Sequence, residues 1–219
     1  MLLRLRRPGL IVGWSVMLLL SLVVVIYAVM MLVTWAFPEE LSLSFHIHNV
    51  AISMHIAGSI FAMALGPFQF LSWIRVRHVR VHRWMGRIYL LGVLVGGLGG
   101  LYMGYFSYGG LVTHLGFMTM AVIWLSTGLL AYRAIRTKRI QVHRQWMIRN
   151  FATTLGAVTL RIYLPVLVVG MHVPFVTAYR PVAWLCWVPN LVIAELIIQI
   201  AKQRQQARVA RRALLKGAP

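Results

Sequence analysis

Six stretches of this chain are predominantly apolar for twenty residues or more, and arginine, histidine and turn-forming residues concentrate in the short segments between them. They run over about 10–35, 50–73, 84–106, 111–134, 145–169 and 178–200. A helix needs about 20 residues to cross the hydrocarbon core of a bilayer, so each stretch predicts one transmembrane helix, spans one to six. The first stretch follows three arginines in the manner of a secretory leader. Its apolar run exceeds the ~7–15 residues of a signal sequence and no small-residue cleavage site follows, so the expectation is that it stays as span one. The expected fold is all-α, an integral membrane six-helix bundle. A single transmembrane domain over 1–200 and a basic tail over 201–219, read as an extension of span six lying along the lipid surface, account for the chain.

Composition fixes the class. With 60% hydrophobic and 11% charged residues and a mean hydropathy of +0.79, so much apolar surface cannot be hidden in a soluble core of 219 residues. The net charge of +19 would suggest nucleic acid in a soluble protein. Here all but Arg161 and Arg180 of the 22 Lys and Arg residues fall on one side: Arg4, Arg6 and Arg7, the segments 75–87 and 133–149, and the tail from Lys202 to Lys216. Alternation of basic and non-basic connections is the signature of orientation in a membrane, so both termini are expected in the cytoplasm, with the lipid bilayer rather than nucleic acid as the partner of these charges. Cys186 is the only cysteine. That excludes an internal disulfide, a cysteine-rich cluster and a covalent CxxCH haem attachment.

The chain repeats itself. HRWMGR at 82–87 and HRQWMIR at 143–149 each read His-Arg, then Trp-Met, then Arg. His55 precedes the first motif by 27 residues and His114 precedes the second by 29. Two similar helical hairpins, spans two–three and four–five, suggest a parallel repeat that sets two opposite four and three opposite five as a four-helix core. By the ~1.5 Å rise per residue, His55 and His114 lie about 8 Å and 5 Å inside the outer ends of their spans, and His82 and His143 at the inner entrances of theirs. Two layers of paired imidazoles match the axial ligands of noncovalent b-type haem, one or two per chain. Gly58, Ser59, Ala62 and Gly66 after His55, and Gly86, Gly96 and Gly100 after His82, would leave room for a porphyrin, or else simply let helices pack closely.

A charge inside a span costs about 2.5–3.5 kcal/mol and calls for a partner. Arg161 lies five turns after His143 on the same face and near the outer side, where a haem propionate or the headgroup region would receive it. Arg83, Arg87, Arg144 and Arg149 flank the inner pair as further propionate partners. Glu195 is the one acidic residue within a span, at a depth that suits Arg149 or Arg87 better than Arg161. His46 and His48 alternate as on an extended segment, and with His172 in the last outer loop they form a candidate transition-metal site or contact for a redox partner. His78 belongs to a basic interfacial loop, and Trp73, Trp84 and Trp146 to an aromatic belt.

GPFQFL (66–71), HRWMGRIYL (82–90), HRQWMIRNFATT (143–154), TLRIYLP (159–165) and AWLCWVPN (183–190) resemble the bacterial membrane proteins grouped as domain of unknown function 2306, over about 46–197. The resemblance implies a six-helix fold in a bacterial inner membrane and no activity. The placement of the histidines is similar to cytochrome b561 and its dihaem relatives, which implies His55 and His114 as ligands of an outer haem and His82 and His143 of an inner one. No ascorbate-site signature of that group is present. The leading expectation is a transmembrane electron carrier, an oxidoreductase component served by a redox partner protein or a quinone. The alternatives are a histidine-rich outer-face metal-binding or transport protein, and a cofactor-free scaffold or assembly subunit.

Overall fold

The structure, a computed structural model, describes residues 8–216. Arg4, Arg6 and Arg7, which entered the orientation argument, lie outside the described residues, as does the end of the tail at 217–219. The apolar stretches fold as helices because a segment without access to water must satisfy its backbone internally. In chain order these are α1 (Pro8–Thr34), α2 (Glu39–Ile47), α3 (Asn49–Gln69), α4 (Ser72–Arg77), α5 (Val79–Tyr105), α6 (Leu111–Arg136), α7 (Ile140–Thr154), α8 (Gly156–Pro165), a π-helical turn at Val166–Gly170, α9 (Phe175–Leu185) and α10 (Val188–Lys216). Among the described residues six helical stretches are long and apolar enough to cross a membrane: Ile11–Thr34, Asn49–Gln69, Val79–Tyr105, Leu111–Arg136, Ile140–Gly170 and Phe175–Ala210. An even number of crossings returns the chain to the face it left. We call that face, which carries α4 and the turn at 137–139, the basic face, and the opposite one the far face.

Spans two to five (α3, α5, α6 and α7 with α8) form a ring in which each helix packs on the next and α3 closes onto α7. Among the described residues the backbones of α3 and α6 do not approach closely, nor do those of α5 and α7, which meet only through side chains. Spans two and four are therefore diagonal, as are three and five, in the arrangement the repeat predicts. Span one lies against α3 and α8, and span six against α6 and α7. The centre is filled by Ala62, Tyr89, Val93, Trp124 and Phe151, one or two from each core helix.

Of the two readings of the glycines, close packing is the one seen at Gly58, Gly66, Gly96 and Gly100. A methyl group built on Gly58 would meet the Gly92 carbonyl oxygen at 2.5 Å and the Gly96 backbone more closely still, so these residues bring α3 and α5 into backbone contact. The ring of Phe151 occupies the space above Gly66, and the imidazole of His55 that above Gly100. Without a hydrophobic drive between helices in lipid, such close approach is what small residues supply. Gly86 differs: its missing side chain would touch only Gln69 Oε1, at 3.6 Å.

One local expectation is corrected. The segment bearing His46 is helical, because Leu41 and Phe45 fall one turn apart and both pack inward, while Glu39 and Glu40 occupy the first turn, where the helix dipole favours negative charge. The tail extends span six: α10 continues without a break from Val188 to Lys216.

Candidate functional site

The two copies of the repeated motif start their helices alike. His82 is the fourth residue of α5 and His143 the fourth of α7, and each backbone N–H closes the first helical turn, onto the carbonyls of His78 and Arg139. Three residues after each tryptophan an arginine folds back over the indole, Arg87 over Trp84 at 4.8 Å and Arg149 over Trp146 at 4.7 Å. Residues three apart on a helix are neighbours, so the Trp-x-x-Arg spacing by itself produces this cation–π clip.

The imidazoles of the pair come within electrostatic reach of each other, together with Arg75 and Arg83. Nδ1 of His143 donates to the Ala131 carbonyl at 2.8 Å, which fixes the tautomer and leaves Nε2 with a free lone pair. Nδ1 of His82 is buried with no hydrogen-bond partner. One turn along the same face of α5, at Gly86, the buried Nε2 of Gln69 is likewise without a partner. Burial together with the neighbouring Arg144 guanidinium holds Arg75, in the connection before α5, below its ordinary pKa. The basic-face end of the core thus collects Arg75, His82, Arg83, His143 and Arg144 around unsatisfied polar atoms.

The far pair is arranged differently. His55 donates from Nδ1 to the Gly96 carbonyl on α5 at 2.8 Å, whereas His114 uses Nε2, to the Ser107 carbonyl in the turn after α5, also at 2.8 Å. His114 is left with Nδ1, the nitrogen closer to its own backbone. The helices that carry these two residues stand on a diagonal, as do those of the basic-face pair.

Of the arginines read as propionate partners, Arg149 is taken: Nε and Nη2 both donate to one Glu195 oxygen, at 2.9 and 2.6 Å, the pairing that helix direction and depth had indicated. Arg87 is committed to Trp84, while Arg83 is exposed beside His82. Arg161 donates from Nη1 to the Ala157 carbonyl at 2.9 Å and lies over the Tyr27 ring at 4.9 Å. It acts electrostatically on His55.

The outer metal site is not assembled. His46 bonds within α2 to Ser42 and sits beside Trp35 and Phe37. His48 stacks on Phe106 at 4.2 Å and pairs with Tyr102, and His172 stands exposed in the last far-face loop. Among the described residues no group of three or more His, Cys, Asp or Glu side chains gathers to hold a metal ion.

A set of residues that sequence reasoning passed over lies between the two histidine layers. Tyr89 donates its hydroxyl to Asn150 Oδ1 at 2.7 Å and shares a bond with Thr154 Oγ1 at 3.1 Å. Trp124 Nε1 donates to the same Thr154 oxygen, and Asn150 Nδ2 donates to the Trp124 carbonyl and to Thr127 Oγ1. Tyr89 and Asn150 are completely buried. The network ties three spans together at the middle of the bundle, and the one available signal was Asn150, an amide within a span and seven residues, two turns, beyond His143.

A family model described as a predicted membrane protein, DUF2306, matches residues 52–198. No curated protein and no solved structure matches the chain.

Proposed function

Because the chain belongs to the DUF2306 family of membrane proteins, whose description carries no activity, we propose a function from the site itself: electron transfer within the membrane through one noncovalent b-type haem held by His82 and His143 at the basic face. The observation that carries this reading is the pair of imidazoles at equivalent positions of α5 and α7. One is oriented by a carbonyl so that Nε2 is free, the other is buried with Nδ1 unpartnered, and Gly86 keeps space beside them. A ligating histidine ordinarily has its second nitrogen fixed in this way. Arg75, Arg83 and Arg144 surround the pair and suit carboxylates, as propionates require. When bound, the haem supplies reversible one-electron chemistry; this chain's residues orient it, bury it and balance its charge.

A second haem at the far pair is not part of this reading, since His114 uses Nε2 on the Ser107 carbonyl and the His55 ring fills the space above Gly100. The reading is thus narrower than a dihaem carrier. The surrounding membrane is a bacterial inner membrane with the basic face in the cytoplasm, as the basic connections favour. A cofactor-free scaffold retains one observation in its favour, the solid packing of the bundle centre.

Reduced-minus-oxidised absorption of the purified protein decides between the two. The expected result is a b-type spectrum with about one haem per chain, lost in His82→Ala and in His143→Ala and kept in His114→Ala. A colourless protein, or haem retained in both basic-face variants, refutes the assignment.

A further inference from the structure

Span five carries Arg149 and, further toward the far face, Arg161, and the bundle treats the two in opposite ways. Arg149 puts Nε and Nη2 on one oxygen of Glu195, at 2.9 and 2.6 Å. That edge of a guanidinium, with its two parallel N–H groups, is the one that meets a carboxylate. On Arg161 the same edge meets no acceptor. Its Nη1 donates to the Ala157 carbonyl at 2.9 Å and its Cζ lies 4.9 Å from the centre of the Tyr27 ring. Nε is buried without a partner, and among the described residues nothing accepts from Nη2.

A charge within a span ordinarily pairs with another charge. An arginine that served the far-face head groups would extend toward Gly170, where span five ends. Arg161 does the reverse, since its bond to Ala157 turns the guanidinium back by one turn. By the ~1.5 Å rise per residue, Arg161 lies about 14 Å and Ala157 about 20 Å inside that end. The chain has no carboxylate to offer at this depth. Glu39 and Glu40 stand in the first turn of α2 at the far face, and Glu195 is bound to Arg149, about 18 Å nearer the basic face. A second copy brings the same three acids and cannot supply one either.

Span one covers Arg161 only in part. Val24 packs against Met63 and Val158, one turn toward the basic face, but Tyr27 is 41% exposed. On span five Ile162, next to Arg161, is 47% exposed, and Val166, one turn beyond, 53%. An apolar strip therefore flanks the arginine on the lipid side. We propose that this strip docks a transmembrane helix of a different membrane protein, one with an aspartate or glutamate near the middle of its span, and that Arg161 holds that carboxylate through Nε and Nη2. A carboxylate built into a span is kept at this depth by the apolar residues around it. The carboxylate of a fatty acid sits at the interface and would have to sink to reach Arg161. Assembly of this kind is independent of whether the basic-face histidines hold haem.

The test uses the full-length protein in lipid vesicles, labelled at Tyr108→Cys, and a synthetic Leu/Ala transmembrane peptide with one central glutamate as the probe. Energy transfer between the two labels reads association, and peptides with a central glutamine or lysine serve as controls. The glutamate peptide is expected to associate at least tenfold more tightly than the glutamine peptide, and Arg161→Gln to abolish the difference. Arg161→Glu should transfer the preference to the lysine peptide. If Arg161→Gln does not fold, Arg161→Lys, which keeps the charge without the two-pronged edge, must lower the preference at least threefold. Equal association of the glutamate and glutamine peptides with the parent protein overturns the proposal, as does a preference that survives loss of the arginine. Oleate in the vesicles that displaces the glutamate peptide through Arg161 gives the site to a lipid carboxylate and overturns it as well.

Discussion

Replacing Asn150 with leucine removes the hub of the buried network while keeping its branched outline, so the effect comes from the lost bonds and from the bulk of the methyl groups rather than from a cavity. The side chain makes three bonds to other spans: from Nδ2 to the Trp124 carbonyl at 2.7 Å and to Thr127 Oγ1 at 2.9 Å, and at Oδ1 from Tyr89 at 2.7 Å. Interhelical hydrogen bonds in membrane proteins average about 0.6 kcal/mol each and reach about 1.7, which puts the loss near 2 kcal/mol with a ceiling near 5. Its neighbours soften the change. Tyr89 retains Thr154, and Thr127 retains the Ile123 carbonyl, so no hydroxyl is left wholly unpaired and the lower figure is expected. Reversible unfolding in mixed micelles, followed by far-ultraviolet dichroism and by tryptophan emission, measures the difference directly. A double-mutant cycle with Tyr89→Phe adds a second criterion: residues in one network couple by at least ~0.5 kcal/mol. If Asn150→Leu is as stable as the parent to within that margin, or the two substitutions simply add, the network does not hold the spans together.

Gly58→Leu places a side chain where the backbone of α5 already lies, and overpacking of about 3 kcal/mol or more is expected; thermal aggregation in detergent checks it, with Gly9→Leu, which meets nothing, as the comparison. The proposed orientation is checked by cysteine labelling, since the native Cys186 is wholly buried and should not react. In intact cells a membrane-impermeant maleimide should label Tyr108→Cys at once and Lys138→Cys only after the inner membrane is opened, and the reverse pattern would invert the topology.

Hydropathy made the six crossings legible, because burial in lipid acts on every residue of a span and tolerates local errors. The observed helices start and stop within a few residues of the apolar runs, except where basic segments join the helix, as at 79–83, 140–144 and beyond 200. The Arg149–Glu195 pair was also legible, since helix direction and rise fix depth without any knowledge of side chains. Rotation about the helix axis was not. Whether Gly66 opens a cavity or receives Phe151, and whether His55 and His114 share a partner or each take a carbonyl, depends on angles that no depth argument supplies. Tyr89, Thr127 and Thr154 escaped notice because a hydroxyl scarcely changes the hydropathy of its span, and only the fold reveals that they converge on Asn150. His46 was misjudged for a different reason. Alternation of two histidines outweighed the one-turn spacing of Leu41 and Phe45, although it is the apolar pair that packs.

The backbone seam between α3 and α5 makes the second and third crossings behave as one piece. Gly58, Gly92, Gly96 and Gly99 interlock over several turns, so that hairpin owes its cohesion to itself and little to the remaining spans. A polypeptide severed in the far-face turn between Phe106 and Gly110 would leave the first half already zipped. Two fragments co-expressed from that break should find each other again, and the natural order of assembly is then a prefabricated front half onto which the later crossings dock.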